Sequence, residues 1–258
     1  MKIAVIGGNR FTGKRLVEKL IDLHKVTLFN RSASGDGSNV VKFDRDVDEI
    51  NLNGFDCIVD MCLYTLEQFN LIKKSIPTET RYIFVSSGAV RYKDTFGYYA
   101  TEKENVEKEL KNTDLNYTIV RPSYIVGYGN HITRLEYFID KLFNGKSVKI
   151  NDGNCPINLV DVNDVAECLK HIILSTNDLR GKIYEIGNDT ETTINEVIDI
   201  IKKELNVKEH TIQESDESVF PNASFETDNK NIKMEFGIKF RNINHVVKSF
   251  VERWKSEN

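Results

Sequence analysis

Short apolar runs alternate with helical periodicity through the first 120 residues, and this alternation constrains the fold more than any single motif. "KIAVI" (2–6), "KVTLF" (25–29), "VVKF" (40–43), "DCIVD" (56–60), "RYIFVSS" (81–87) and "YTIV" (117–120) read as strands. Phe11, Leu16, Val17, Leu20 and Leu23 recur at helical spacing, and further helical stretches fall near 65–75 and 98–112. Near-continuous apolar strands separated by helices need a parallel sheet covered on both faces. The expected class is therefore α/β, with a Rossmann-like doubly wound parallel sheet. After residue 121 the rhythm loosens: helices are predicted over 132–143, 162–175, 193–205 and 242–255, and strands over 147–150 and 183–186. We expect a core at 1–125. Residues 126–258 then supply the remaining strands and helices, interleaved with a small C-terminal substrate lobe.

Composition excludes several classes. With 258 residues, 40% of them hydrophobic, the chain can bury a core without disulfides or metals. A net charge of −4 leaves no electrostatic footprint for nucleic acid or an anionic membrane. No run approaches the ~20 apolar residues of a membrane span. Lys14 and Arg15 follow the first apolar run too closely for a signal-peptide core. Cys57, Cys62, Cys155 and Cys168 have no CxxC spacing and the histidines are scattered, so no metal site is expected. The expected setting is the reducing cytoplasm, as a monomer or homodimer with a small-molecule substrate and neither nucleic-acid nor membrane partners.

The first strand runs into "GGNRFTG", residues 7–13, and then a helix. Glycines let the backbone approach a pyrophosphate, and the helix N-terminus offers unpaired N–H groups and a positive dipole end. Gly7, Gly8, Asn9, Arg10, Phe11, Thr12 and Gly13 are the candidate cofactor turn, with Thr12 as the expected helix cap. The second strand ends in Asn30 and Arg31, without the carboxylate that usually holds an NAD ribose. A guanidinium in that place favours a 2′-phosphate, and Arg10 points to the same ligand end. NADP(H) is therefore expected in preference to NAD(H).

"YYATEKENVE" holds Tyr99 and Lys103 four residues apart, on one face of the predicted helix. A phenol is a poor base at neutral pH, and a nearby ammonium favours its ionised form. A serine at the end of "FVSS" can bind the same substrate oxygen. Tyr98 and Glu102 repeat the spacing without the cation.

These stretches, with "FDRD", "VDMC", "FVSSGAV", "IVRPSYIVGYG", "NLVDVNDVAECL", "EIGN" and "DNKNIKMEFG", resemble the extended branch of the short-chain dehydrogenase/reductase superfamily, the NAD-dependent epimerase/dehydratase-like proteins. The GG-x-RF-x-G turn is typical of a bacterial subgroup of these. The resemblance implies that Tyr99 is the general acid/base, that Lys103 binds the nicotinamide ribose and tunes Tyr99, and that Ser87 is the catalytic serine. It also implies that Asp44 touches adenine, that Cys62 and Ser86 lie near the cofactor, and that Asp161 and Asp164 cap the following helix.

Three departures bear on substrate. Tyr124 stands where the family's "R-x-x-N-x-x-G" asparagine contacts a nucleotide diphosphate, and Ile157 stands at its phosphate-binding arginine position. These two candidate substrate residues make a more apolar wall, suited to a smaller or uncharged substrate end. Gly88 and Ala89 follow Ser87 where 4,6-dehydratases place Asp-Glu, so dehydration is not expected. The function implied is NAD(P)-dependent oxidoreduction or epimerisation of a secondary alcohol or ketone, sugar-like or otherwise small. The alternative is a non-catalytic NADP-binding sensor or regulatory protein on the same fold.

Overall fold

Every pairing in the main sheet is parallel, as strands apolar on both faces require. The computed structural model describes residues 1–32, 39–215, 217–221 and 224–257. Its strands are β1 (Lys2–Ile6), β2 (Lys25–Asn30), β3 (Asn39–Lys42), β4 (Cys57–Asp60), β5 (Arg81–Val85), β6 (Tyr117–Pro122), β7 (Tyr124–Val126), β8 (Val148–Ile150), β9 (Pro156–Ile157), β10 (Leu159–Asp161), β11 (Ile183–Ile186), β12 (Thr192–Thr193) and β13 (Ile212–Glu214). The helices are α1 (Phe11–Leu20), α2 (Leu66–Ile72), α3 (Lys93–Lys111), α4 (Arg134–Phe143), α5 (Val162–Leu174), α6 (Ile194–Leu205), α7 (Lys230–Phe236) and α8 (Ile243–Glu257).

Seven strands form the central sheet in the order β11-β6-β5-β4-β1-β2-β3. The chain winds outward in both directions from β1 and β4, and ligands of such sheets bind in the crevice at that reversal. Alternation along β1 explains the two-sided core. Ile3 and Val5 pack with Leu16, Leu20, Val165 and Leu169 of α1 and α5, while Ala4 and Ile6 pack with Phe69, Val106 and Leu110 of α2 and α3.

A third core makes the lobe, where α4, α6 and α8 close over β8 and β9 through Phe138, Val148, Ile157, Ile198 and Val247. Residues 162–186 return to the sheet before the chain re-enters this lobe, because α5 packs on α1 and β11 adds to β6. Asp161 caps α5, accepting from Asn163 N–H at 2.7 Å. Asp164 instead accepts from the backbone N–H of Arg241 at 2.7 Å, tying the lobe's last segment to this helix. Among the described residues, no helix is long and apolar enough to cross a membrane.

Candidate active site

The candidate residues gather at the C-terminal edge of the sheet. Beyond β1 the chain turns at Gly7 with φ 88°, where an added Cβ would lie 3.1 Å from Cys62. At Gly13 a Cβ would lie 2.5 Å from the Gly7 carbonyl oxygen, so only glycine lets α1 start this close to β1. Arg10 is the N-cap of α1 and gives no side-chain cap. Thr12 does not take the capping role expected of it; it lies buried inside the first turn. The first N–H groups of α1 thus face the crevice without a side-chain acceptor, which fits an anionic ligand. Phe11 enters the helix at φ 40°, a rare conformation for a residue with a side chain.

The Asn9 amide donates to Ser32 Oγ at 2.9 Å, joining the turn to the end of β2. Asn30 is buried with both amide atoms unpartnered, a polar group facing the same crevice end. Arg10 and Arg31 are exposed. Asp44 accepts from Asp46 N–H at 3.2 Å and holds the turn after β3. Of the Gly/Ser loop read at 31–39, residues 33–38 lie outside the described residues. A dinucleotide fits this cradle of close backbone, free helix N–H groups and orphaned amide.

Ser87 caps the short 3-10 turn Gly88–Arg91, its Oγ accepting from Ala89 N–H at 3.2 Å. The same hydroxyl lies near the Tyr99 hydroxyl and favours its ionised form. Tyr99 lies just past Gly97, which breaks α3 at φ 52° and ψ −130°. The Tyr99 ring edge meets solvent, yet burial of its hydroxyl raises the pKa, while Ser87 and the charge of Arg134 act against that rise. Lys103, one turn on, is 2% exposed and donates to Val85 O at 3.0 Å. Its ammonium sits 5.1 Å from the Tyr64 ring centroid, 5.0 Å from Phe84 and 5.9 Å from Tyr99. Burial pushes its pKa down to about 8, although Asp60 pulls the other way. The charge of Arg134, a residue not expected from sequence, also favours the ionised Tyr99 hydroxyl. Tyr98 is exposed, and Glu102 accepts from Leu66 N–H at 2.9 Å, so that pair serves structure.

Two buried ion pairs underlie these side chains. Asp60, at the end of β4, accepts from Arg45 at 2.6 Å and from the Tyr82 hydroxyl at 3.0 Å. Burial alone would lower the Arg45 pKa, but Asp60 beside it holds it above the ordinary value. Glu107 accepts from Ser86 Oγ at 2.5 Å and pairs with Arg121. Ser86, which the resemblance put near the cofactor, is buried with its hydroxyl committed to that carboxylate. Cys62 is half-buried beside Gly7, and burial raises its thiol pKa, so it is a poor nucleophile. Among the described residues no histidine, cysteine or carboxylate cluster could hold a metal.

Tyr124 and Ile157 belong to the lobe. Ile157 is fully buried in its core, so it presents no face to a ligand. Tyr124 packs among Phe96, Phe220 and Phe225, with ring centroids at 6.2, 5.1 and 4.9 Å. Arg134 was not picked out by sequence, and it lies over the Tyr124 ring with Cζ 5.1 Å from the centroid. The surroundings of Tyr124 are aromatic and carry a cation. Nothing local marks Arg134, which is the first residue of an amphipathic helix. Glu107 was more accessible, since it continues the 99–103 face by four residues. A shallow depression at the opposite sheet edge, near Lys2, Asp22 and His24, holds none of these residues.

Residues 70–187 match the NAD dependent epimerase/dehydratase family. That segment of the chain carries Ser87, Tyr99, Lys103, Tyr124 and Ile157, while the glycine turn precedes it. The Arabidopsis thaliana chloroplast stem-loop binding protein of 41 kDa b is 27% identical over 227 residues, 74% of this chain and 60% of that protein. The chain thus spans less than two thirds of that relative's length. The fold is also that of the Thermotoga maritima UDP-glucose 4-epimerase solved with UDP-glucose, with TM-score 0.82, 19% identity, and coverage of 100% of this chain and 99% of that one. The Bacillus cereus UDP-glucuronic acid 4-epimerase, solved with UDP-glucuronic acid and NAD, gives TM-score 0.83 and 15% identity over 100% of both chains.

Proposed function

We propose that this protein is an NAD(P)-dependent oxidoreductase of the extended short-chain dehydrogenase type, which oxidises, reduces or epimerises a secondary alcohol or ketone. The observation that carries the reading is the grouping of Tyr99 with the buried Lys103 ammonium, 5.9 Å from its ring and held by Val85 O, with Ser87 acting on the Tyr99 hydroxyl. The bound cofactor supplies the hydride donor or acceptor. Tyr99 moves the proton of the substrate hydroxyl, and Ser87 holds that oxygen in reach. Lys103 sits behind Tyr99 and is held by Val85 O, where it can also donate to a ribose hydroxyl. Gly7–Gly13 and the start of α1 receive the pyrophosphate.

Tyr99→Phe is expected to keep cofactor affinity within about twofold and to lower turnover by ~10²-fold or more. Unchanged turnover on a cognate alcohol would remove the reading.

Cofactor choice follows from the end of β2, where Asn30 and Arg31 stand without a carboxylate. NADPH should bind more tightly than NADH. Since Arg31 is exposed, Arg31→Ala should weaken that preference by only about 1 kcal/mol. Equal calorimetric affinities in the wild type would overturn it, and the Bacillus cereus relative with its NAD makes that test pointed.

Dehydration is disfavoured by space as well as by sequence. A Cβ on Gly88 would meet Phe225 Cζ at 2.7 Å, and Ala89 is buried, so neither position offers a carboxylate to eliminate water. The chloroplast relative supports a second reading, a regulatory protein that holds the dinucleotide without turnover. Stem-loop RNA binding by the wild type, combined with no turnover, would favour it.

A further inference from the structure

Arg134 opens α4 with its guanidinium against aromatic rings instead of an acid. Its Cζ lies 5.1 Å from the Tyr124 centroid and 5.6 Å from the Phe220 centroid. Nε is closed off from solvent without a hydrogen-bond partner, and so is the Tyr124 hydroxyl beside it. Among the described residues, the groups that act on its charge are two phenols, Tyr124 and Tyr99, and no carboxylate pairs with it. A guanidinium half-buried without a counter-charge is costly. Contact with ring faces recovers part of that cost but leaves its donors uncommitted. Such a group is poised for an anion, and its planar fork matches a carboxylate or a phosphate.

We propose that Arg134 anchors an anionic group of the substrate, a carboxylate or a phosphate, where its guanidinium lies beside the Tyr124 and Phe220 rings. Ile157 leaves the lobe without a cation at that position, and the cation here comes from a different segment, on the Tyr99 side of the wall. The neutral substrate end expected from Tyr124 and Ile157 alone gives way to a charged one held over an aromatic floor. Where the anion sits relative to chemistry rests on the oxidoreductase reading; its capture by Arg134 does not.

The test uses the full chain saturated with NADPH, which blocks the pyrophosphate cradle. Malonate and inorganic phosphate are titrated by calorimetry at matched ionic strength in chloride. At least one anion should bind the wild type, and the better of the two identifies the group. Arg134→Met keeps a flexible chain on the rings and should weaken that binding at least tenfold, with cofactor affinity unchanged within twofold. Arg134→Lys keeps the charge without the fork and should fall between, which preserves the test if the Met variant misfolds. Absence of binding by both anions, or equal affinity in wild type and Arg134→Met, overturns the proposal. If NADPH itself fails to bind, the oxidoreductase reading falls. The same titration on the cofactor-free chain, read as the difference between wild type and Arg134→Met, then still decides the role of Arg134.

Discussion

The sheet edge buries an arginine and the aromatic lobe half-buries another, and they treat the charge differently. Arg45 at the edge meets a fully buried carboxylate, Asp60, at 2.6 Å, and that carboxylate is also bonded by Tyr82. Among the described residues, Arg134 in the lobe meets rings and no carboxylate. One is a closed pair that braces the floor beneath Lys103 and Cys62. The other is an open charge that acts on the Tyr99 hydroxyl. Framework cations are neutralised inside the molecule, whereas a cation meant for a ligand is left for the ligand to neutralise.

Breaking the closed pair should have the largest effect. Asp60→Ala leaves Arg45 buried without its counter-charge and should destabilise the fold by about 3–5 kcal/mol in urea unfolding. A loss under about 1 kcal/mol would mean that the Arg45–Asp60 contact is not the closed pair described.

Lys103 sharpens the comparison through pH. Its pKa falls from the ordinary 10.5 to about 8 in the fold, so between these values the unfolded chain binds a proton that the native state does not. Stability must then rise with pH across that window. Such a fall corresponds to on the order of 3 kcal/mol. Measured against Lys103→Met in the cofactor-free protein, wild-type stability should climb by that order from pH 8 to 10.5. A flat difference would show that the ammonium is already compensated.

Gly97 joins the two regions, since Phe96 before it packs on Tyr124 and Tyr99 after it lies by the Lys103 ammonium. Its positive φ makes Gly97→Ala expected to lose about 1–2 kcal/mol of stability. Turnover should fall more than cofactor affinity, because the proton-transfer group is displaced and the cradle is not. The smallest effect belongs to the open cation. Arg134→Met should leave unfolding free energy within about 1 kcal/mol of wild type, because loss of ring contacts is offset by removal of an uncompensated charge. A loss as large as that of Asp60→Ala would make Arg134 a structural residue.

The main strands and the helices that cover them were legible from periodicity, and the observed β1, β4, β5, β6 and β11 fall where the apolar runs put them. The strands β7, β9, β10, β12 and β13 were not read, being two or three residues long and too short to carry a period. Helix α7, at seven residues, was missed for the same reason. The Thr12 cap failed because the turn places Arg10, not Thr12, at the helix boundary.

Local sequence determined what sits within one turn or at one strand end: the glycines that permit close backbone approach, the serine after β5, and Tyr99 with Lys103 at helical spacing. These relations span a few residues, so the backbone period fixes them wherever the segment lies. The tertiary structure alone decided which charges face one another. Arg45 meets Asp60 across 15 residues and Arg121 meets Glu107 across 14. The lobe wall draws Phe96, Tyr124, Arg134, Phe220 and Phe225 from separate segments. Whether a buried cation is neutralised or left open depends on what packing brings within a few ångströms of it, and that is set only when the sheet edge and the lobe have closed together.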